Sequence, residues 1–205
     1  MSENPVIKKI ILVMLVFAVL LFSFYVMDFK TARSETQANS VVSSYSSGNP
    51  ELDFSGRIFL YIEGEDSLTM DLKEKLRNDL EAAGAEVISV SRIDENYDSQ
   101  ALLVNISKDN WLYTPVYASS DLNIVFFYTS TGKDTKYFEQ FKEGNKSVVF
   151  INDNPMQGKK LMDGEIKMQD YTRGLVSLKA YKKHLAAEIS EEIVKQLQAQ
   201  FQQSL

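Results

Sequence analysis

The sequence predicts an α+β protein in which an N-terminal transmembrane helix precedes a mixed β-sheet, with two main helices packed mainly on one face of that sheet. A long apolar segment near the N-terminus, two later segments of helical periodicity and several apolar segments of strand length together predict this class. The predicted boundaries are a short cytoplasmic tail at 1–9, a transmembrane helix at 10–29, a flexible polar stalk at 30–53 and a soluble α/β domain at 54–205.

The apolar segment from Ile10 to Met27 has no charged residue, and Ser23 is its one polar residue. Counted back through Val6, it reaches the ~20 residues that a helix needs to cross a bilayer. The alternative is a cleaved signal peptide, which has a shorter apolar core and small residues at its cleavage site. Because the segment ends in bulky side chains around Tyr25, we expect a retained anchor.

The orientation of the anchor follows from weaker signals. Two lysines precede the helix, and Lys30 and Arg33 follow it, so the positive-inside rule gives a tie. The short N-terminal tail and the Ser/Asn-rich spacer favour an extracytoplasmic domain. Glycosylation sequons at Asn105 and Asn145 point the same way.

The segment from Thr31 to Pro50 is polar and has no hydrophobic period. Such a composition cannot bury a core, so we expect a flexible tether. The alternative is a specific binding peptide.

The first half of the domain has the pattern strand, helix, strand. Arg57–Ile62 is a continuous apolar strand, a helix starts at Asp66-Ser67 and ends before Gly84, and Ala85–Ser91 forms the next strand. If the two strands are parallel, their crossover is expected to be right-handed. The apolar face of the helix comprises Leu68, Leu72, Leu76, Leu80 and Ala83.

The second half favours antiparallel pairing, because its strands follow one another without long helices. We predict strands at 101–107, 122–129 and 147–152, with shorter ones at 166–168 and 174–178. A final helix runs from Lys179 to Gln203, and we expect its apolar stripe to pack on the sheet; the alternative is a coiled coil or a partner surface. The stripe comprises Tyr181, Leu185, Ile189, Ile193, Leu197 and Phe201.

The composition argues against several kinds of chemistry. The chain has no cysteine, which excludes disulfides and thiolate sites, and one histidine, His184, for which we expect a solvated helix position. No phosphate-binding glycine motif occurs. Asp153 follows a strand and could bind a metal or act as a base, but Asn154-Pro155 favours a turn. We therefore predict no enzyme activity, no metal and no cofactor.

An aromatic segment is the candidate partner surface. Trp111, Tyr113 and Tyr117 surround Pro115 between two predicted strands. Exposed aromatic rings of this kind bind partner proteins or apolar ligands. The alternative is a hairpin end whose residues lie against a helix.

Four segments, LRNDLEAAGAEV, ALLVNI, LNIVFFYTSTG and AYKKHLAAEISEEIVKQL, give residues 57–200 an order of elements that resembles the lipopolysaccharide-assembly lipoproteins and related small auxiliary envelope lipoproteins. The resemblance implies a membrane-tethered, non-catalytic domain that binds a partner protein or lipid. A transmembrane helix stands here in place of their lipidated cysteine, and no functional residue carries over.

These observations predict a membrane-anchored, non-enzymatic, extracytoplasmic interaction domain, an accessory subunit of an envelope or transport assembly. Its expected partners are the bilayer, through residues 10–29, and a protein of unknown identity; with a net charge of −6 and no basic stripe, we expect no nucleic-acid partner. The alternative is a lipid- or small-molecule-binding domain with an apolar cleft between the sheet and the C-terminal helix. A hydrolase with scattered carboxylates is a third hypothesis.

Overall fold

The computed structural model describes residues 5–47, 56–143 and 158–202, and over these ranges the chain has the predicted α+β class. The helices are α1 (Pro5–Val26), α2 (Ser67–Ala82), α3 (Phe138–Lys142), which follows a 3-10 turn at Thr135–Tyr137, and α4 (Leu178–Gln202). The strands are β1 (Lys30–Ser47), β2 (Arg57–Ile62), β3 (Glu86–Val90), β4 (Gln100–Thr114), β5 (Tyr117–Thr129) and β6 (Lys159–Val176).

The described strands form one mixed sheet in the order β1-β6-β5-β4-β2-β3. Strand β2 is parallel to both of its neighbours, β3 and β4, whereas all other neighbouring strands are antiparallel. The strand–helix–strand pattern of the first half therefore forms parallel strands. The consecutive strands of the second half are antiparallel, as their spacing predicts.

Helices α2 and α4 pack on each other and on one face of the sheet, where they enclose the main core. Asp66 caps the start of α2 by accepting a hydrogen bond from the backbone N–H of Thr69 at 2.9 Å. Burial opposes the charge of Asp66, but bonds from Lys108 and Thr69 outweigh it and lower its pKa to about 2. Gly84 follows the helix with a φ of +106°, as a left-handed end requires.

The opposite face of the sheet has a smaller apolar cluster beneath α3. Leu103 of β4, Phe127 of β5 and Leu161 of β6 are fully buried there against Phe138. At the other end of this face, toward α1, the outward residues of β6 are exposed. The sheet is therefore covered fully on one side and only in part on the other by the described residues.

Strand β1 corrects the prediction of a flexible stalk at 30–53. Residues 30–47 form an edge strand that pairs antiparallel with β6 over its whole length, from Lys30 opposite Val176 to Ser47 opposite Lys159. The prediction was wrong for these residues because a backbone ladder does not depend on apolar side chains. The remainder of the predicted stalk, 48–53, lies outside the described residues.

Strand β6 is one strand of eighteen residues, where the sequence predicts two short strands at 166–168 and 174–178. Strands β4 and β5 also extend beyond their predicted bounds and meet in a tight hairpin at Thr114–Tyr117. The predicted strand at 147–152, together with Asp153, lies outside the described residues.

Helix α1 is long and apolar enough, over Val6–Val26, to cross a membrane. None of this segment is buried against the rest of the structure, which distinguishes it from the core helix of a soluble domain. The helix includes Lys8 and Lys9 and ends at Val26, so it lies several residues closer to the N-terminus than the predicted span of 10–29.

Candidate functional site

The candidate site is the junction between α1 and the sheet, where three residues, 27–29, connect the apolar helix to β1. The hydroxyl of Tyr113, near the end of β4, lies 3.1 Å from the carbonyl oxygen of Phe24 and 2.9 Å from that of Val176. Its ring meets the ring of Tyr25 edge to face, with centroids 5.7 Å apart. One tyrosine therefore contacts both the last turn of α1 and the end of β6.

The connecting residues are themselves held by the start of α4. The backbone N–H of Phe29 donates to the hydroxyl of Ser177 at 3.1 Å, and the backbone N–H of Ser177 donates to the carbonyl of Phe29 at 3.0 Å. The ammonium of Lys183 forms an ion pair with the carboxylate of Asp28. These contacts fix the direction in which α1 leaves the domain.

Trp111 lies on the helix side of the sheet rather than on an open surface. It is half-buried, and its ring centroid lies 5.4 Å from that of Tyr181 in α4. Tyr181 is fully buried; its hydroxyl lies 3.1 Å from the hydroxyl of Ser120, and burial raises its pKa. This is the environment of a strand residue that lies against a helix.

Tyr117 begins β5 on the opposite face of the sheet from Ala118, a core residue, because side chains alternate along a strand. It is half-buried and lies opposite Arg173 of β6. The structure thus places Trp111 and Tyr113 on one face and Tyr117 on the other. The three residues do not form one continuous surface.

His184 corrects the prediction of a solvated helix position. Its side chain is 14% exposed, and its Nε2 lies 2.9 Å from the Oδ1 of Asp170, which is fully buried. Asp170 also accepts hydrogen bonds from the hydroxyls of Thr36, at 2.8 Å, and Thr172, at 3.0 Å. Burial disfavours its charge, but the bonds from His184 and the threonines outweigh burial and lower the pKa of Asp170.

This cluster connects β1, β6 and α4, and its geometry differs from that of a hydrolytic triad. In a triad, the acid and the nucleophile face different nitrogens of the histidine. Here the Thr36 hydroxyl, at 3.4 Å, and the Asp170 carboxylate face the same nitrogen of His184, while Nδ1 lies 3.6 Å from Glu188. The sequence does not reveal the cluster, because the polar segment that contains Thr36 is typical of a stalk.

Two other predicted features can be placed. Asn105 of the first sequon lies within β4, and its amide donates to the carboxylate of Glu63 at 2.7 Å, so it is not in the surface loop that glycosylation favours. Asn145 of the second sequon lies outside the described residues. Within the described ranges, no group of three or more histidine or acidic residues is arranged to bind a metal.

Arg33 of β1 and Arg173 of β6 are direct cross-strand neighbours on the open face of the sheet. With Glu35 and Tyr171 they line a groove of about 210 Å³.

The interface between α4 and the sheet is filled by buried side chains. Ile189 of α4 is fully buried there, in the main core.

The comparisons with known proteins do not identify a family. No protein-family profile and no curated protein matches the chain. Two similar solved structures are dodecamers of PelC from Paraburkholderia phytofirmans, one of them carrying a single substitution. They are 11% and 12% identical to this chain, cover 72% of it and 94% and 95% of their own chains, and have a TM-score of 0.30. A similarity of this extent establishes neither a shared fold nor a shared function.

Proposed function

We propose that this chain is a single-pass, membrane-anchored, non-enzymatic interaction domain outside the cytoplasm, an accessory subunit of an envelope or transport assembly. The observation that carries the proposal is the direct connection of α1 to β1 through only three residues. An apolar helix of this length stays in the bilayer, and a fixed junction then keeps the folded domain at the membrane surface. The domain would hold a partner protein beside the bilayer.

The outer edge of β1 is the surface that we propose for the protein partner. Among the described strands, β1 lies at the end of the sheet and pairs only with β6, so no described strand covers its outer edge. Exposed edges of this kind accept a strand from another protein through backbone hydrogen bonds. The edge is polar and rich in serine, and Val41 is its one large exposed apolar side chain among the described residues.

One further observation supports part of the proposal. The single histidine, His184, is engaged with buried Asp170, which fits a structural rather than a catalytic role. Asn105 gives no support for a domain outside the cytoplasm, because it lies within a strand.

Co-purification from gently solubilised membranes tests the proposed binding edge. We expect a partner to co-purify with the native chain and to be lost from Val41→Lys, because a charge on an edge strand opposes strand addition. Met70→Lys is the matched control, since Met70 is equally exposed but lies on α2. A native chain that purifies alone, or equal loss in both variants, would contradict the proposed edge.

The side of the membrane is tested separately by adding protease to intact cells. We expect the domain to be cleaved while a cytoplasmic marker protein remains whole. Protection of the domain until the cells are opened would place it in the cytoplasm and overturn that part of the proposal.

A further inference from the structure

The junction sets the height of the domain above the bilayer. Tyr113 contacts Phe24 and Tyr25, which lie in the last turn of the apolar span. If that span crosses the hydrocarbon, its last turn lies at the interface, where aromatic residues are favoured. The hairpin at Thr114–Tyr117, just beyond Tyr113, then lies at the level of the lipid headgroups.

The exposed apolar residues of the domain are concentrated at this same end. Val116 forms part of the hairpin and is 59% exposed, and Leu112 and Leu175 beside it are each nearly half exposed. A backbone hydrogen bond joins the hairpin to β6, since the N–H of Gly174 donates to the carbonyl of Val116 at 3.0 Å. The large exposed apolar residues described after residue 29 are Val41, Met70, Leu112, Val116, Tyr171 and Leu175.

Two arginines flank this apolar end. Arg33, Arg173 and Tyr117 form one row across β1, β6 and β5, level with the hairpin. Like charges on directly opposite strand positions are unfavourable, and Glu35, the carboxylate that lines the same groove, forms no ion pair with either arginine. Two guanidinium groups and one carboxylate leave the groove with a positive local charge in a chain of net charge −6, which favours an anion there.

We propose that this end of the domain is a lipid-binding rim, comprising Leu112, Val116, Leu175, Arg33 and Arg173, that takes anionic phospholipid headgroups of the bilayer holding α1. The guanidinium groups bind phosphate oxygens in the groove between them, a geometry for which arginine is well suited. The apolar side chains enter the interfacial layer beside α1. The proposal rests on the membrane anchor of the proposed function.

The depth of the rim is measured on the full chain in lipid nanodiscs. The chain has no cysteine, so one introduced cysteine gives a unique site for a spin label. We expect the label of Val116→Cys to be accessible to oxygen and shielded from a water-soluble relaxation agent. The label of Val41→Cys, further along β1, should be accessible to the water-soluble agent and less accessible to oxygen. A Val116 label as exposed to water as the Val41 label would overturn the rim.

A third label separates failure of the rim from failure of the anchor. Phe17 lies in the middle of α1, so the label of Phe17→Cys should be buried in hydrocarbon. If it is buried while the Val116 label lies in water, the anchor stands and the rim is wrong. A Phe17 label in water overturns both the anchor and the rim that depends on it.

The selectivity of the rim for anionic lipid is measured with spin-labelled phosphatidylglycerol and phosphatidylcholine in the same nanodiscs. We expect preferential association of phosphatidylglycerol with the native chain. The double variant Arg33→Gln/Arg173→Gln should reduce that preference by about fivefold for each arginine, if each contributes as a basic residue near an anionic surface does. The control Arg77→Gln/Arg92→Gln removes the same charge from exposed positions near α2 and β3. No preference in the native chain, or equal loss in both variants, would contradict arginine-mediated headgroup binding.

Discussion

At the scale of single residues, Asp170 shows how the sheet and α4 are joined. Its buried carboxylate receives bonds from His184 and Thr36, which belong to α4 and β1, so one side chain secures two elements. A buried charge is tolerated only when it is paired and hydrogen-bonded, as it is here. The cluster therefore couples the edge strand to the rest of the core.

We expect Asp170→Asn to destabilise the protein by about 2 kcal/mol near neutral pH, because a hydrogen-bonded charge is lost. The native pKa of Asp170 is lowered, so its contribution is complete above the ordinary carboxyl pKa of ~4 and is lost as pH falls through the lowered value. Urea unfolding across this pH range should show the difference between native and variant shrinking in acid. Glu165→Gln, at a partly exposed position of the same strand, is the control. A difference that does not change with pH would contradict this role of the charge.

Gly164 explains why the sequence does not reveal β6 as one strand. A glycine beside Asp163 indicates a turn when only the sequence is considered. In the structure, a Cβ at this position would lie 2.1 Å from the Cε1 atom of Phe126, so the strand passes beneath a buried ring that leaves room only for glycine. This contact joins positions far apart in the chain, and no local pattern predicts it.

At the scale of elements, the sequence predicts those that have their own periodicity. Helix α4, predicted at 179–203, is found at Leu178–Gln202, and the strand–helix–strand of the first half is found where its apolar residues place it. Strand β1 was not predicted because its stability depends on backbone pairing with β6, more than a hundred residues further along the chain. The composition therefore predicts a domain that begins at residue 54, whereas the sheet already begins with β1 at Lys30.

A chain that begins at Phe54, the predicted domain boundary, should fail to fold as a soluble monomer. It would lack β1 and would expose the whole edge of β6, and unpaired edges of that length associate. A chain that begins at Asp28 keeps β1 and should unfold cooperatively. Size-exclusion chromatography and thermal unfolding compare the two. A monomeric, cooperatively folded chain from Phe54 would show that β1 is dispensable.

The candidate site also differs from what the sequence predicts. The sequence predicts an exposed partner surface at Trp111, Tyr113 and Tyr117. In the structure Tyr113 contacts α1, and the exposed apolar side chains are those of neighbouring residues such as Val116. Which strand face a residue occupies depends on the register, and the register irregularity between Lys108 and Asn110 shifts it within this strand.

At the scale of the whole molecule, α1 and the domain should move as one body. The distance between spin labels at Leu12→Cys in α1 and Val41→Cys in β1, measured by pulsed EPR in nanodiscs, should have a narrow distribution. Tyr113→Ala removes the contacts to Phe24 and Tyr25 and should broaden it. Tyr171→Ala, at an exposed tyrosine of β6, should leave it narrow. A broad distribution in the native chain would contradict the fixed junction.

The direction of β1 also limits how copies of this protein can aggregate. If α1 spans a bilayer, as we propose, every copy in one bilayer has this strand rising from the membrane in the same sense. Antiparallel association of two such edges would place the two anchors at opposite ends of an eighteen-residue ladder, about 60 Å apart, which one bilayer cannot accommodate. Only the parallel arrangement remains, and it is slightly less stable for each residue paired. The bilayer thus discourages self-association along β1, whereas a strand from a water-soluble protein could approach it in either direction.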